Sequence, residues 1–428
     1  MLTPIFETEP STSSSTSLLS TSSTSTSTTT TTTTSKSTSS TTSTPSTSTS
    51  SSTTTSTTTT TTSKSTSTSS TTSTTSTSIT TSTTTACNYF LNQTTYPVGS
   101  TPYSVAVVDV NSDNKSDIIV ANSDSNNVGV LLNAGNGAFN VQATYAVSAS
   151  PVSVSAVDVN SDNKLDIIVT NSGSGTVGVL LNTGSGTFNT QTIYTVGSNP
   201  RSIAVVDVNS DNKSDIVVAN YDANTISVLL NAGSGTFNTQ TIYTVGTNPR
   251  SVVAVDVNSD NKPDIVFANS VSNNVGIPLN AGSGTFNAQT TYTVGSNPRS
   301  LAVVDVNSDN KPDIIVANYD ANTVSVLLNA GSGTFNTQTT YTVGTDPLSV
   351  AVVDTNSDNN PDIVVANYGS NNVGVLLNAG NGTFNAQTIY SVSTNPYSVA
   401  VVDVNNDNKP DIIVVNQGSN NVGVLLHC

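Results

Sequence analysis

The chain lacks tryptophan, contains one methionine, one histidine and two cysteines, and only 9% of its 428 residues are charged. The two glutamates, Glu7 and Glu9, lie near the N-terminus, and His427 is the residue before last. These scarcities leave no set of histidine, cysteine and glutamate for a nucleophilic triad or a zinc hydrolase site. We therefore expect no catalytic residues and a protein that is not an enzyme.

Charge and hydropathy exclude two further classes of protein. The net charge of −16 leaves no basic patch that could hold nucleic acid. No run of the chain approaches the roughly 20 apolar residues that a membrane helix needs. The sequence therefore predicts neither a nucleic-acid partner nor a membrane span.

Residues 1–86 differ in composition from the rest of the chain, because 71 of them are serine or threonine. A segment with so little apolar surface cannot offset the entropy of ordering its backbone, so we expect it to be disordered. Two interpretations stay open: an O-glycosylated, mucin-like stalk, or a repeat-expanded spacer without chemistry. Residues 1–10 do not form a signal peptide, which indicates that the protein is not exported or that this N-terminus is truncated or misannotated.

Residues 87–428 carry an internal repeat of 49 residues. A nine-residue acidic signature recurs at this constant interval and begins at Asp109, Asp158, Asp207, Asp256, Asp305, Asp354 and Asp403. A period of about 20–50 residues is typical of solenoids, propellers and arrays, so it decides the fold class before any local feature does.

Each repeat contains four predicted strands and no segment with helical periodicity. In the fifth repeat the strands are residues 301–306, 313–317, 324–328 and 334–343, with a hairpin at residues 330–333 before the last. Four antiparallel strands per repeat predict propeller blades rather than a helical solenoid. We therefore expect an all-β fold, a seven-bladed β-propeller of four-stranded blades, after a disordered Ser/Thr-rich tail.

The array is permuted relative to its repeats. Residues 87–428 are one residue short of seven full repeats. The chain enters with residues 89–98, which match a fourth strand, and leaves with residues 422–426, which match a third strand. We expect the N-terminal strand to complete the seventh blade, because a shared closing blade removes free sheet edges.

The two cysteines stand at the two ends of the array. In the register of the repeat, Cys87 and Cys428 correspond to positions two residues apart in one hairpin, so a disulfide between them would replace the missing covalent turn. The alternative is two unrelated free thiols. A disulfide would imply an oxidising compartment. Glycosylation sequons at Asn92 and Asn381 also favour a secreted or cell-surface glycoprotein.

The acidic signature, Asp-x-Asn-x-Asp-Asn-x-x-Asp, predicts a metal-binding loop. Side-chain oxygens at positions 1, 3, 5 and 9 and the backbone carbonyl of position 7 suit Ca²⁺, which takes about 6–8 oxygen ligands. The predicted side-chain ligands are Asp109, Asn111, Asp113, Asp117, Asp158, Asn160, Asp162, Asp166, Asp207, Asn209, Asp211, Asp215, Asp256, Asn258, Asp260, Asp264, Asp305, Asn307, Asp309, Asp313, Asp354, Asn356, Asp358, Asp362, Asp403, Asn405, Asp407 and Asp411. The predicted carbonyl ligands belong to Lys115, Lys164, Lys213, Lys262, Lys311, Asn360 and Lys409.

The distribution of aspartate supports this interpretation. The chain has 25 aspartates, and 21 of them lie in the seven loops. Three carboxylates in one short loop repel each other without a counterion. Up to seven Ca²⁺ would supply that counterion. The alternative is that Asp and Asn only form turns and cap the loops by local hydrogen bonds.

These repeats resemble the FG-GAP/VCBS family, as in the propeller head of integrin α-subunits and in lectin-like propellers. The matching pieces in the fifth repeat are Phe335, the turn from Gly344 to Pro347, the Val-Val-Asp strand end, the acidic loop and the following Asp-Ile-x-Val strand. The resemblance covers residues 87–428 and implies a propeller with Ca²⁺ in its hairpin loops. The family usually has glycine at loop position 6. This chain instead has Asn114, Asn163, Asn212, Asn261, Asn310, Asn359 and Asn408.

In a propeller of this kind, the face opposite the metal loops is the expected recognition face. There the otherwise similar repeats diverge. The candidates are Tyr103, Arg201, Arg250, Arg299 and Tyr397 after the turn proline, and Tyr221, Tyr319 and Tyr368 in the loops between second and third strands. Arg and Tyr favour carboxylates, sulfates or sugar rings. The alternative is sequence drift in exposed loops.

The first functional hypothesis is an extracellular, calcium-binding adhesion or carbohydrate-recognition propeller on a flexible stalk, with a protein or glycan as its partner. The second is a structural or matrix repeat protein without a specific ligand. A propeller hydrolase or lyase is the weakest hypothesis, because only four aspartates lie outside the acidic loops. They are Asp124, Asp222, Asp320 and Asp346. Sequons at Asn114 and Asn212 lie inside those loops, where bound metal would block glycosylation.

Overall fold

The apolar segment at the end of each acidic signature forms a fully buried strand, because its Ile and Val side chains are covered on both faces. A computed structural model describes residues 89–428. These residues form seven antiparallel sheets of four strands, which confirms the predicted seven-bladed propeller. The expected disorder of residues 1–86 and the position of Cys87 lie outside the described residues.

Each blade has four strands, counted outward from the propeller axis, and blades are numbered along the chain. The first strands are Pro102–Val108, Pro151–Val157, Pro200–Val206, Pro249–Val255, Pro298–Val304, Pro347–Val353 and Pro396–Val402. The second strands are Asp117–Asn122, Asp166–Asn171, Asp215–Asn220, Asp264–Asn269, Asp313–Asn318, Asp362–Asn367 and Asp411–Asn416.

The outer half of each blade completes the sheet. The third strands are Asn127–Leu131, Thr176–Leu180, Thr225–Leu229, Asn274–Ile277, Thr323–Leu327, Asn372–Leu376 and Asn421–Leu425. The outer strands of blades 1 to 6 are Ala143–Ala146, Thr192–Thr195, Thr241–Thr244, Thr290–Thr293, Thr339–Thr342 and Thr388–Ser391. The one helix among the described residues is the 3₁₀ turn Gln417–Ser419, and none of the described helices is long and apolar enough to span a membrane.

The predicted fourth strand at residues 334–343 is wrong as a single element. Thr334–Phe335 pairs with Asn329–Gly331 in a separate two-stranded hairpin, and only Thr339–Thr342 joins the blade. The division lets Phe335 turn toward the neighbouring blade, where its ring meets Tyr292 edge to face at 5.5 Å. Four other blades have the same hairpin, formed by Asn133–Gly135 with Ala138–Phe139, Asn182–Gly184 with Thr187–Phe188, Asn231–Gly233 with Thr236–Phe237, and Asn280–Gly282 with Thr285–Phe286.

Seven apolar clusters hold the ring together, one at each junction between neighbouring blades. At the junction of blades 2 and 3, Ile168 and Val179 pack against Ile203 and Ile216, all at most 2% exposed. Full burial of such a side chain contributes roughly 1.5–3 kcal/mol. The core therefore lies between blades, so that each blade depends on both of its neighbours.

The seventh blade takes its outer strand from the start of the described chain. Thr94–Pro97 pairs with Asn421–Leu425, and Phe90 forms a bridge with His427. At this junction Phe90 takes the place of the hairpin phenylalanine of the other blades, because its ring contacts the Tyr390 ring at a centroid distance of 5.3 Å. The backbone N–H of Cys428 donates to the carbonyl of Tyr89 at 2.9 Å, next to the ring closure. The pairing of Cys87 with Cys428 stays a prediction, since Cys87 is not among the described residues.

Candidate functional site

The acidic loops follow the first strands, at one end of the propeller axis. In blade 1 the Asp109 carboxylate accepts backbone N–H groups from Asn111, Ser112 and Asp113 on Oδ1, at 3.2, 2.7 and 3.2 Å, and from Asn114 on Oδ2 at 2.7 Å. This wrap needs left-handed backbone at Ser112 and Asn114, whose φ values are 62° and 60°. Asparagine tolerates that region better than other non-glycine residues, so it replaces the family's glycine without loss of the turn.

The fifth loop position forms an ion pair in most blades. The Lys115 ammonium lies 2.9 Å from Asp113 Oδ2, and its hydrogen bond holds the pKa of that carboxyl below the ordinary value. The same pair recurs as Lys164–Asp162, Lys213–Asp211, Lys262–Asp260 and Lys311–Asp309. Blade 6 has Asn360 in place of the lysine, and Lys409 of blade 7 donates to the Cys428 carbonyl at 2.8 Å.

The ninth loop position lies beneath the loop. Asp117 is fully buried, and its two carboxylate oxygens accept the backbone N–H groups of Val110 at 3.1 Å and Asn133 at 2.7 Å. Burial raises the pKa of Asp117 to about 6, against the effect of these two hydrogen bonds. Repulsion from Asp113 and Asp109 adds to the increase. Burial raises the pKa of Asp166 and Asp313 to about 6 as well.

Each acidic loop is also tied to the next blade, a contact that sequence reasoning missed. The Asn182 side-chain amide, in the hairpin of blade 2, donates to the Val110 carbonyl in the loop of blade 1 at 2.9 Å. At the junction of blades 6 and 7, His427 occupies the position of this asparagine, and its Nε2 lies 3.0 Å from the Thr355 carbonyl. The recurring asparagine after the third strand was a signal in the sequence, but nothing in the period indicated its partner.

The donor chemistry of the loops fits a hard cation. Positions 1, 3 and 5, here Asp109, Asn111 and Asp113, lie on the partly or fully exposed part of the loop and offer oxygen alone. Within residues 89–428, however, no three acidic, histidine or cysteine side chains converge as a metal cluster. The reason is visible in blade 1, where Asp117 turns inward to backbone amides and Asp113 faces Lys115. Asp117 thus fixes the loop from below and retains one free lone pair on each oxygen.

The opposite ends of the first strands meet around the axis. The second residue of each first strand belongs to what we call the axial ring, which consists of Tyr103, Val152, Arg201, Arg250, Arg299, Leu348 and Tyr397. Neighbouring first strands pack against each other all the way round, including blade 7 against blade 1. Side-chain hydrogen bonds support this contact, as where Ser202 accepts the Val252 N–H at 3.1 Å. A strand of seven residues separates the axial ring from the acidic loops by about 20 Å.

One hydrogen bond of the axial ring crosses the axis and joins two distant blades. Arg250 of blade 4 donates from Nη2 to the Tyr397 hydroxyl of blade 7 at 3.0 Å. The Tyr397 ring contacts the Tyr103 ring at a centroid distance of 4.5 Å. Arg250 and Tyr397 are each 8% exposed, so drift in exposed loops does not describe these two positions.

The predicted loop tyrosines pack against this ring. Arg201 and Arg250 lie over the ring of Tyr221 at 5.7 and 5.6 Å, and Arg299 lies over Tyr319 at 4.5 Å. The Tyr368 ring contacts the Tyr397 ring edge to face at 6.3 Å, and the Tyr368 hydroxyl donates to Gln417 at 3.2 Å. Contacts thus join six of the eight residues predicted for the recognition face into one Arg/Tyr cluster, and Arg299 and Tyr319 form a pair beside it that interacts electrostatically with Arg250.

Comparison with known proteins agrees with the architecture. The FG-GAP-like repeat profile matches six overlapping segments, residues 109–169, 158–218, 207–267, 256–316, 305–365 and 354–414. No curated protein matches the chain. The family profile thus covers most of the propeller, one acidic loop after another.

Three solved structures illustrate the shared fold. Virginiamycin B lyase from Staphylococcus aureus is 16% identical, with a TM-score of 0.54 over 78% of this chain and 97% of the lyase. BBS1N in complex with ARL6DN is 12% identical, with a TM-score of 0.58 over 79% of this chain and 96% of that one. A putative 6-phosphogluconolactonase from Bacteroides fragilis is 14% identical, with a TM-score of 0.52 over 73% and 98%. At these identities the similarity concerns the fold alone.

Proposed function

Because the chain belongs to the FG-GAP-like repeat family, we propose that it is an extracellular binding module, a calcium-stabilised propeller that holds a protein or glycan ligand at the axial ring. The observation that carries the proposal is the connected Arg/Tyr cluster, in which Arg250 reaches Tyr397 across the axis. Near-identical repeats diverge at this ring, and a ligand on the axis would contact several blades at once.

Calcium would act as a structural ion at the other end of the axis. In blade 1 the proposed ligands are Asp109, Asn111, Asp113, the Lys115 carbonyl and Asp117. A bound cation would offset the repulsion that helps to raise the pKa of Asp117. It would also compete with the Lys115 ammonium for Asp113, which makes binding of the metal weaker than in a loop without lysine.

The proposed location and attachment follow from the ends of the propeller. A disulfide between Cys87 and Cys428 would form and persist in an oxidising, extracellular setting. The Ser/Thr-rich residues 1–86 would then serve as a stalk that carries the propeller away from its point of attachment. Binding rather than catalysis is the proposed activity.

A binding array tests the proposal directly. The full chain is applied to immobilised glycans and extracellular matrix proteins in about 2 mM Ca²⁺ and again in EGTA. We expect ligand binding that Arg250→Leu abolishes and that EGTA reduces. A matched variant, Thr290→Glu, changes the net charge equally on an exposed outer strand and should bind normally. A chain that binds nothing on either array supports the structural or matrix protein instead.

A further inference from the structure

Three positively charged groups lie at the axial ring, and no negatively charged side chain of the described residues forms an ion pair with them. Arg201, Arg250 and Arg299 come from three successive blades. Within residues 89–428, every ion pair joins a lysine to an aspartate of an acidic loop, and none includes an arginine. Asp222, which lies in the loop after the second strand of blade 3, accepts a hydrogen bond from Asn199 at 3.0 Å instead.

We propose that Arg201 and Arg250 bind one oxyanion, a carboxylate or sulfate group that the ligand carries, and that Arg299 adds its positive charge beside them. The inference rests on the proposed function and specifies its ligand: the partner is acidic, and its charged group enters the ring on the axis. Guanidinium groups suit this task, because their planar forks donate two parallel hydrogen bonds to a carboxylate or sulfate.

Burial makes the absence of a partner costly. Arg250 is 8% exposed, and a desolvated charge destabilises the fold unless it is paired. Burial also lowers the pKa of Arg299, and repulsion from Arg250 lowers it further. The attraction of a negatively charged group beside the arginines would offset both effects. The ring thus pairs its charges when the ligand binds rather than within the chain.

The arginines also keep donors free in fixed orientations. The Nε atoms of Arg201 and Arg299 are buried and have no hydrogen-bond acceptor among the described residues. The rings of Tyr221 and Tyr319 hold the guanidinium planes by cation–π contacts. The guanidinium groups are therefore preorganised, and a ligand that reaches their N–H donors gains hydrogen bonds with little loss of side-chain entropy.

The size of the opening limits the ligand group. Tyr103, Val152, Arg201, Arg250 and Tyr397 line a cavity of about 10 Å³ that opens to solvent and has room for about one water molecule. This volume is below the roughly 300–1,000 Å³ of sites for drug-sized molecules. The Arg250–Tyr397 hydrogen bond crosses the axis, so an extended polyanion cannot pass through the axial ring in this conformation. A terminal carboxylate or sulfate group would therefore reach the arginines from the solvent-facing mouth of this cavity.

The repeats show that the fold does not require arginine here. Val152 and Leu348 occupy the same register in blades 2 and 6 and are 4% and 3% exposed. Apolar residues are therefore accepted at this position of the first strand. This provides a variant, Arg201→Val with Arg250→Leu and Arg299→Leu, that imitates the chain's own alternatives and removes all three charges.

Calorimetric titration of the full chain with sodium sulfate, sodium glucuronate and neutral glucose at constant ionic strength tests the proposal. We expect binding of sulfate or glucuronate, roughly 100-fold weaker in the triple variant, since several charge-assisted hydrogen bonds are lost. Arg250→Lys should recover only part of the affinity, because lysine keeps the charge without the fork. Thr192→Glu with Thr241→Glu and Thr290→Glu, a control on exposed outer strands that changes the net charge by the same three units, should bind like the natural chain. Equal binding of glucose, no binding of either anion, or unchanged binding by the triple variant would each overturn the proposal.

Thermal melting in a buffer without multivalent anions gives an independent readout. The triple variant should melt at a higher temperature than the natural chain, because it loses one buried and two half-buried charges that have no ion-pair partner among the described residues. A lower melting temperature would assign the arginines a structural role and contradict the anion site.

The experiments distinguish failure of the anion site from failure of the proposed function. A neutral array ligand would keep the binding module and overturn the anion site, whereas anion binding without any array ligand would keep the site and remove the extracellular partner.

Discussion

The two ends of the first strands differ in how their charged side chains are paired. At the acidic loops, each negative group is satisfied locally, as Asp109 accepts four backbone amides and Asp113 pairs with Lys115. At the axial ring, the buried Nε donors of Arg201 and Arg299 have no acceptor within the part of the chain that the structure describes. The loops repeat because each blade performs the same structural task. The ring varies because its seven positions face one shared space on the axis.

Calcium removal should produce the largest difference between the two ends. At a concentration tenfold above its dissociation constant, each Ca²⁺ would contribute about 1.4 kcal/mol, and seven sites about 10 kcal/mol. We therefore expect EGTA to lower the melting temperature of residues 87–428 strongly, while Asp305→Asn with Asp309→Asn removes one site and leaves the fold intact. A melting temperature that EGTA does not change would show that the lysines and backbone amides alone neutralise the loops.

Loss of the predicted disulfide should affect one junction before the others. The chain-entropy estimate for a loop of about 340 residues is roughly 5–6 kcal/mol, as an upper limit. Cys87→Ser should increase hydrogen exchange in Thr94–Pro97 and Asn421–Leu425 first, since these strands close the ring. A linked Cys87–Cys428 peptide in a non-reduced digest is the direct check. Two alkylatable thiols after oxidising purification would argue against the disulfide but not against the propeller.

Two aspartates of one loop should differ in their effect on stability. Asp313 is buried and accepts backbone amides from Val306 and Asn329, whereas Asp309 lies at the surface with Lys311. In EGTA, Asp313→Ala should cost about 3 kcal/mol, because two buried donors lose their acceptor. Asp309→Ala should cost less than about 1 kcal/mol, as for an exposed ion pair. Equal losses in denaturant titrations would contradict the structural role of the ninth position.

The smallest expected effect is a dependence on pH in the metal-free protein. Asp117, Asp166 and Asp313 have folded pKa values of about 6, above the ordinary value of 3.8. Between these values the folded chain holds more protons than the unfolded chain, so stability should fall as the pH rises from 4 to above 6. The lowered pKa of Asp113 matters only below this window. Melting in EGTA should therefore occur at a higher temperature at pH 4.5 than at pH 7, and the reverse order would contradict the raised pKa values.

The sequence predicted the blade well but not its outer edge. Constant spacing and the buried Asp-Ile-x-Val segment located the second strands, and the predicted segment 313–317 became Asp313–Asn318. The continuous strand at 334–343 was wrong because Phe335 packs across the blade junction on Tyr292. That contact lies between repeats, and a pattern read within one repeat does not contain it.

The candidate sites divide in the same way. Residue types and spacing located every acidic loop, the six residues of the Arg/Tyr cluster and the Arg299–Tyr319 pair beside it. They did not show that Asp117 turns inward, since its partner Asn133 follows 16 residues later in another element. They also placed Arg250 and Tyr397 on an exposed face, although both are buried.

What the sequence determined by itself is what recurs every 49 residues: four strands per blade, seven blades, and an oxygen-rich loop after each first strand. Local hydrogen bonds and apolar periodicity suffice for those features, because each is encoded within one repeat. Only the tertiary structure decided which charged side chains are buried away from solvent. Arg250 meets Tyr397 across 147 residues, and they meet because the ring closes. Closure brings the first strands of all blades to one axis, where the three arginines have no carboxylate partner among residues 89–428.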